Sequence, residues 1–397
     1  MTAGSQPAEK CRIGSIDALR GVAMVIMALD HAREFFHSGP LHFQPEDLAR
    51  TTTLVFLTRW ITHICAPVFM FTAGLGAYFW LKRGRTKPEL SKFLWTRGLW
   101  LIVLELTVIR LAMTFSLISG MVILEVMWAL GCSMIALGFL IYLPPRLLAV
   151  AGVLVIVLHN LADQLTAAQF GSLGWVWNIL HQQGVFRAGG GTVLTAYPLV
   201  PWIAVMALGF CFGEVMTISS ARRRRWLIGI GAAITAAFVI VRGINRYGDP
   251  ARWSNQVPGM AVLSFLRCTK YPPSLDFLLM TMGPAILLLG LFDGWKFSRA
   301  NPLVVFGRVP LFYFVVHLFL IHGLTIPPAL IRYGHAGFPL NPLPSMGGQA
   351  SLYPADYGYG LGTVYLVWGG VVLAMYPLCL WFARLKSRRN DWWLRYF

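Results

Sequence analysis

Apolar runs close to 20 residues long recur from end to end of this 397-residue chain, separated by short polar or Pro/Gly breaks such as Leu143–Arg146 and Asp293–Lys296. Helical runs of that length cross a hydrocarbon core about 30 Å thick. They are continuous rather than alternating every second residue, which excludes a membrane β-barrel. The pattern predicts ten spans, at 14–36, 53–81, 94–115, 118–142, 146–166, 196–218, 224–242, 273–292, 303–326 and 361–384. The connections 167–195, 243–272 and 327–360 are too polar and too rich in Gly and Pro to span, and are expected to cap one face. The expected fold is all-α: a polytopic integral membrane helical bundle of about ten transmembrane helices. It is divided into a short N-terminal segment (1–12), a membrane domain (13–386) and a basic, aromatic tail (387–397).

Composition agrees: 57% of residues are apolar and 12% charged, against roughly 45–50% and about 25% in soluble domains. The basic residues orient the spans. Lys82–Lys87 with Lys92 and Arg97, the run Arg222–Arg225, Lys296 with Arg299, and Arg384, Lys386, Arg388 and Arg389 all fall on one side of a ten-span chain, together with Lys10 and Arg12. The positive-inside rule makes that side, and both termini, cytoplasmic, as expected of a multi-pass inner (plasma) membrane protein. Lys10 and Arg12 precede a short apolar run in the manner of a secretory signal, but Asp30–Phe36 follows it with no small-residue cleavage site, so the segment is read as the first helix. The net charge of +17 is then a topology signal and an attraction to anionic headgroups of the lipid bilayer. No contiguous basic domain suited to nucleic acid is present. The six cysteines are scattered without metal-like spacing, so neither a disulfide frame nor a metal site is expected.

Chemistry concentrates where polar residues enter the spans. The first helix starts with Asp17 and Arg20 and carries Asp30, His31, Arg33 and Glu34 at its far end. Ionisable groups at membrane depth cost several kcal/mol unless paired or wetted, so they mark function by default. Spacings of three predict Asp30–Arg33 and His31–Glu34 pairs within the helix. His63 lies near mid-depth beside Trp60, and His317 and His322 lie in the outer half of span 303–326. Their spacing of five does not build an i,i+4 metal pair. Glu105 and Arg110 are expected to form a structural charge pair. Pro272 and Pro273 stiffen the entry to span 273–292 and hold Lys270 and Tyr271 just outside it. Arg308, near the cytoplasmic boundary, either snorkels or meets an anionic ligand.

Four stretches resemble bacterial members of the heparan-alpha-glucosaminide N-acetyltransferase catalytic-domain family. They are Ser15-Ile-Asp-Ala-Leu-Arg-Gly21 with the following run to Phe36, Ala66–Gly74, Thr269–Leu275 and Phe306–His317. The resemblance implies a membrane acyltransferase that takes an acyl group, acetyl as the first expectation, from cytoplasmic acyl-CoA. The group passes to an amino or hydroxyl group of an envelope sugar or glycan on the outer side, with no metal. It implies a catalytic histidine near the outer part of the first helix; His31 with Asp30 matches that role, and His37 and His42 in the following loop are the alternatives. A homodimer is allowed by the same analogy. A histidine suits general-base work on the attacking nucleophile. Trp60, His63 and Tyr313 are candidate donors to the developing oxyanion, and Lys270, Tyr271 and His317 join them as acceptor-site residues. Arg20, Lys92, Arg97 and Arg308 are placed to meet the CoA phosphates from the cytoplasm. His31 and that basic cluster should lie roughly 20–25 Å apart at about 1.5 Å per residue. Either an extended pantetheine arm or an acyl-enzyme relay would bridge the gap. A proton-coupled transporter or flippase, using Asp30, His31 and His317 as a path, is the competing class; the absence of a visible internal repeat counts against it.

Overall fold

The computed structural model describes residues 13–116, 121–344, 348–389 and 391–396. The N-terminal segment 1–12 assigned above lies outside the described residues, as do Asn390 and Phe397 of the tail. The described chain is mostly helical. In order it runs α1 (Gly14–Phe36), α2 (Thr53–Trp60), α3 (Cys65–Leu81), α4 (Lys87–Leu104), α5 (Arg110–Thr114), β1 (Met121–Leu124), α6 (Val126–Leu140) and α7 (Pro145–Leu158). There follow α8 (Gly174–Leu180), β2 (Gly184–Ala188), β3 (Gly191–Thr195), α9 (Val200–Met216), α10 (Ser220–Ile244), α11 (Ala261–Leu266) and α12 (Leu275–Phe292). The chain closes with α13 (Pro302–Arg308), α14 (Pro310–Gly323), α15 (Ile326–Tyr333) and α16 (Leu361–Arg388). Among the described residues, six helical stretches are long and apolar enough to cross a membrane: Thr53–Leu81, Pro145–Ala162, Ser220–Ile244, Leu275–Phe292, Pro310–Tyr333 and Leu361–Arg388.

Helix starts follow local chemistry. Thr86 and Glu89 form a reciprocal capping box at α4, and the Ser274 hydroxyl accepts the Phe277 N–H at α12. The helices then cross at glycines. A Cβ on Gly21 would stand 1.9 Å from the Leu303 carbonyl oxygen, and one on Gly307 would stand 1.8 Å from that of Asp17, so α1 and α13 touch backbone to backbone. Gly74 and Gly209 do the same for α3 and α9, against Met206 and Phe71. Such small-residue contacts let dispersion and close packing replace the hydrophobic drive that is missing between helices in lipid. Two of the sequence stretches that resemble the family, around Gly21 and Gly307, thus meet each other.

Four expectations need correction. The all-α class is amended by a three-stranded sheet in the order β1-β3-β2. β2 and β3 form a hairpin through Gly189 and Gly190, both at positive φ (57° and 80°) where a tight turn requires glycine, and β1 joins β3 in parallel. Span 118–142 is shortened because Met121–Leu124 form the strand and α6 begins only at Val126; residues 118–120 of that span lie outside the described residues. Span 303–326 breaks at Val309 (φ −132°, ψ 51°), where Pro310 cannot continue the hydrogen-bond ladder. Also, Glu105 does not pair with Arg110. Residues Glu105–Ile109 form a π-helical turn, and the Glu105 carboxylate accepts the N–H groups of Met127 (2.9 Å) and Trp128 (3.2 Å) at the start of α6. Those amide hydrogens have no partner inside their own helix, and the positive end of the α6 dipole favours an anion there.

Candidate active site

The second half of α1 ends in a cavity of about 200 Å³ bounded by α1, α2–α3, the strands β1 and β3, and the turn at Lys270–Tyr271. Its charged lining is Asp30, His31, Arg33, Glu34, Arg59, Glu125 and Lys270, with Tyr197 and Tyr271 beside them. Arg33, 3% exposed, donates to Asp30 (3.1 Å) and to Glu34 (2.8 Å). The expected Asp30–Arg33 pair is therefore present, whereas Glu34 is taken by the guanidinium and not by His31. Arg59 binds the other Asp30 oxygen and gives its Nε–H to Glu46 at 3.0 Å. Burial opposes ionisation of Glu46, yet the Arg59 charge, with His63 3.4 Å away, holds its carboxyl well below the usual range.

His31 is left out of this network. Its imidazole makes no hydrogen bond or ion pair among the described residues; it lies against Phe314 (6.3 Å between centroids) and His317 (5.2 Å). His317 is fully buried, and its Nδ1 stands 2.8 Å from the Tyr313 carbonyl. A carbonyl can only accept, so Nδ1 carries the hydrogen and Nε2 of the neutral ring is a bare acceptor. No partner reaches that Nε2.

The other residues singled out from the sequence fall into four groups. Lys270 and Tyr271 line the cavity. Trp60, His63 and Tyr313 stand behind its wall: the Trp60 indole donates to Met280 Sδ (3.2 Å), His63 lies 3.4 Å from Glu46 and packs on Phe277, and Tyr313 packs between Phe306 and His317. Of the two alternative histidines, His37 accepts the Gly39 N–H on Nδ1 at 3.0 Å and His42 is exposed; neither lines the cavity. The basic group lies elsewhere. Arg20 donates to the Thr72 carbonyl, Arg97 is close enough to feel the Arg20 charge, Lys92 is exposed and Arg308 ends α13. Eleven residues of α1 separate Arg20 from His31, roughly 16 Å at about 1.5 Å per residue.

Arg59, Glu46 and Tyr197 were not singled out from the sequence, whereas Glu125 belongs to the ionisable residues that the apolar runs enclose. Arg59 carried a usable signal, an arginine inside the apolar run 53–81 and four residues before His63. Glu46 and Tyr197 sit in connections, and only the tertiary fold brings them to the site. No group of three His, Cys, Asp or Glu positioned to hold a metal occurs among the described residues.

The helices and this polar cavity define a multi-pass membrane protein with a built site near one end of the bundle. Residues 12–244 match the family described as heparan-alpha-glucosaminide N-acetyltransferase, catalytic. More than half of the chain is matched, and the protein belongs to that family of membrane acyltransferases, with acyl-CoA implied as co-substrate. No curated protein matches it.

Proposed function

We propose that this protein crosses the inner membrane ten times with both termini cytoplasmic, and moves an acetyl group from cytoplasmic acetyl-CoA to an amino or hydroxyl group of an envelope sugar or glycan on the outer side. The observation that carries the reading is His31: an imidazole at the wall of a polar cavity, without a partner of its own, next to a carboxylate already fixed by two arginines. Such a ring is available to a substrate. It takes the proton from the acceptor nitrogen or oxygen as that atom attacks the thioester carbonyl; the C–S bond then breaks and CoA leaves as the thiol after receiving a proton. Asp30, ion-paired and held, keeps a negative charge beside the ring and favours the imidazolium as it forms.

Arg20, Lys92, Arg97 and Arg308 are assigned to the phosphates of the donor. The separation of Arg20 from His31 along α1 suits an extended pantetheine arm that brings the thioester up to the cavity, and it makes direct transfer the simpler route. The test is acetyl transfer from radiolabelled acetyl-CoA to amino sugars in membranes carrying the wild type or His31→Ala. Transfer that survives His31→Ala unchanged removes His31 from the mechanism. Absence of acetyl-CoA binding by the purified protein removes the acyltransferase reading and favours transport.

A further inference from the structure

The four guanidinium groups of the run Arg222–Arg225, at the start of α10, have different surroundings. Arg223 turns inward. Its Nε–H is shared between the two Asp293 oxygens (3.0 and 2.9 Å), and its Nη1 donates to the Met216 carbonyl at 3.1 Å. Asp293 also accepts from the Ser15 hydroxyl at 3.3 Å, so this clamp joins α10 to the ends of α12 and α1. Arg224 packs over Gly294. Arg222 and Arg225 are exposed. Arg222 makes no hydrogen bond or ion pair among the described residues, and Arg225 reaches the Ala221 carbonyl of its own turn at 3.5 Å.

A cleft of about 640 Å³ runs along α10 from these two guanidiniums, lined by Arg222, Arg225, Trp226, Gly229, Ile230 and Ala233. Helical spacing explains its form. Arg222, Trp226 and Ile230 make one ridge, and Arg225, Gly229 and Ala233 make the next, which loses its height at the glycine and the alanine. Nothing lies within 4 Å of where a Cβ on Gly229 would stand. The other side of the helix is occupied: Leu227, Gly231 and Phe238 are buried, and Gly231 lies against Leu287 and Gly283 of α12. Arg222 and Ala233 are separated by roughly 16 Å along the axis. That is close to half of a hydrocarbon core about 30 Å thick. The cleft is therefore one leaflet deep, with two cations at its rim, an indole next and a bare apolar floor beyond.

From this we infer that the cleft seats one phospholipid with an anionic headgroup. Arg222 and Arg225 give charge-assisted hydrogen bonds to the headgroup phosphate. The Trp226 indole lies at the level of the glycerol backbone, where amphipathic rings collect, and an acyl chain lies over Gly229 and Ala233. A zwitterionic lipid fits the same groove but brings a further cation to a rim that already holds two. A second copy of the chain is a poorer occupant. The two-fold axis of a membrane dimer runs along the bilayer normal, so it would bring the same arginines to the same rim. The seated lipid covers the open side of α10 beside the Arg223–Asp293 clamp. The site is separate from the cavity around His31 and does not depend on the acetyltransferase reading.

The experiment titrates delipidated protein in detergent with phosphatidylglycerol, with phosphatidylcholine of the same chains, and with glycerol 3-phosphate. Binding is read by native mass spectrometry and by thermal unfolding. Wild type should bind one phosphatidylglycerol about tenfold more tightly than phosphatidylcholine and unfold at a higher temperature with it. Replacing both Arg222→Gln and Arg225→Gln should bring the two lipids to within about twofold of each other. Gly229→Leu puts a side chain into open space on a helix, so folding is not at risk. It should weaken both lipids, by about fivefold or more, because it fills the groove. Equal binding of the two lipids by wild type, or a preference that survives the double substitution, overturns the inference. Stabilisation by glycerol 3-phosphate equal to that by phosphatidylglycerol would assign the rim to soluble phosphates and overturn it too. So would a doubled mass on delipidation that Gly229→Leu abolishes, which would give the cleft to a second copy.

Discussion

The imidazoles of His31 and His317, one from α1 and one from α14, lie with ring centres 5.2 Å apart and planes inclined at 52°. The His317 tautomer is set by the Tyr313 carbonyl, so this buried ring presents a lone pair and not a proton. A base next to a second neutral base has no hydrogen bond to lose when a substrate arrives. His31→Ala should lower kcat about 10²–10⁴-fold, the usual worth of a positioned general base. His317→Phe, which keeps a ring beside His31 and removes the lone pair, should cost about tenfold, or about 1.4 kcal/mol of barrier. Both are read from initial rates of acetyl transfer, with circular dichroism to confirm that the helices are retained.

Arg59 ties α1 to the loop after it through Asp30 and Glu46. Arg59→Met leaves Glu46 without its cation and Asp30 with Arg33 alone, and removal of one partner from a largely buried ion pair costs up to about 3–5 kcal/mol. A fall in melting temperature in detergent, partly restored by adding Asp30→Asn, is the expected result. An additive double mutant would show that the two groups are not coupled.

The pH dependence follows from Glu46, whose carboxyl is held below its ordinary value of 4.5. A depressed acid stabilises the fold fully above its unfolded value and loses that contribution as pH falls through the folded one. Glu46→Gln should therefore be less stable than wild type by about 1.5–3 kcal/mol at pH 7. The gap should persist to about pH 5 and narrow as the medium is acidified further. Melting curves of the two proteins from pH 7 to pH 3 check this; a gap that widens on acidification contradicts it.

Much of this was legible before any coordinates. The apolar periodicity marks the helices, and charge inside an apolar run points to the end of α1, where the cavity is. Asp30–Arg33 follows from helical spacing alone. The failures have a common cause. His31–Glu34 has the same spacing, but Glu34 is contested by an adjacent guanidinium, a stronger donor than a neutral ring. Glu105 looks like a partner for Arg110 until α6, more than 20 residues on, brings two unpartnered amides to it. Trp60 and His63 share a turn with Arg59, and only packing decides which of the three faces the cavity.

The glycine contacts give a cheaper test of the fold. Gly21→Ala places a methyl group 1.9 Å from a backbone oxygen that has nowhere to go, and Gly307→Ala places one 1.8 Å from another. Each should cost about 1–3 kcal/mol or more and lower the yield of folded protein. Gly369→Ala in α16 meets nothing within 4 Å and should be neutral or slightly stabilising, since alanine is the better helix former. Equal behaviour of all three in thermal unfolding would refute the α1–α13 contact.

Arg242 does not touch the cavity, yet four carbonyl groups around the Lys270 turn depend on it. Arg242→Lys keeps the charge and loses the fork. It should raise acceptor KM several-fold with a smaller change in kcat, and Arg242→Gln should do no better. A loss confined to kcat would place the defect elsewhere.

The wide turn at Glu105–Ile109 holds one residue more than an α-helix would use for the same advance. Residues before it and after it are therefore counted in different angular phases, offset by about 100°. Beyond the turn lies Ala112, whose carbonyl receives the His322 Nδ1–H at 2.8 Å, while His322 Nε2 stands 2.7 Å from the Pro339 carbonyl. Deleting a single residue from the turn would return it to an ordinary α-helical turn of the same advance and leave Ala112 facing that imidazole, whereas adding one would swing Ala112 away. The angular setting of α5 against α14 is thus written as a number of residues, so a further insertion there would do more damage than a substitution.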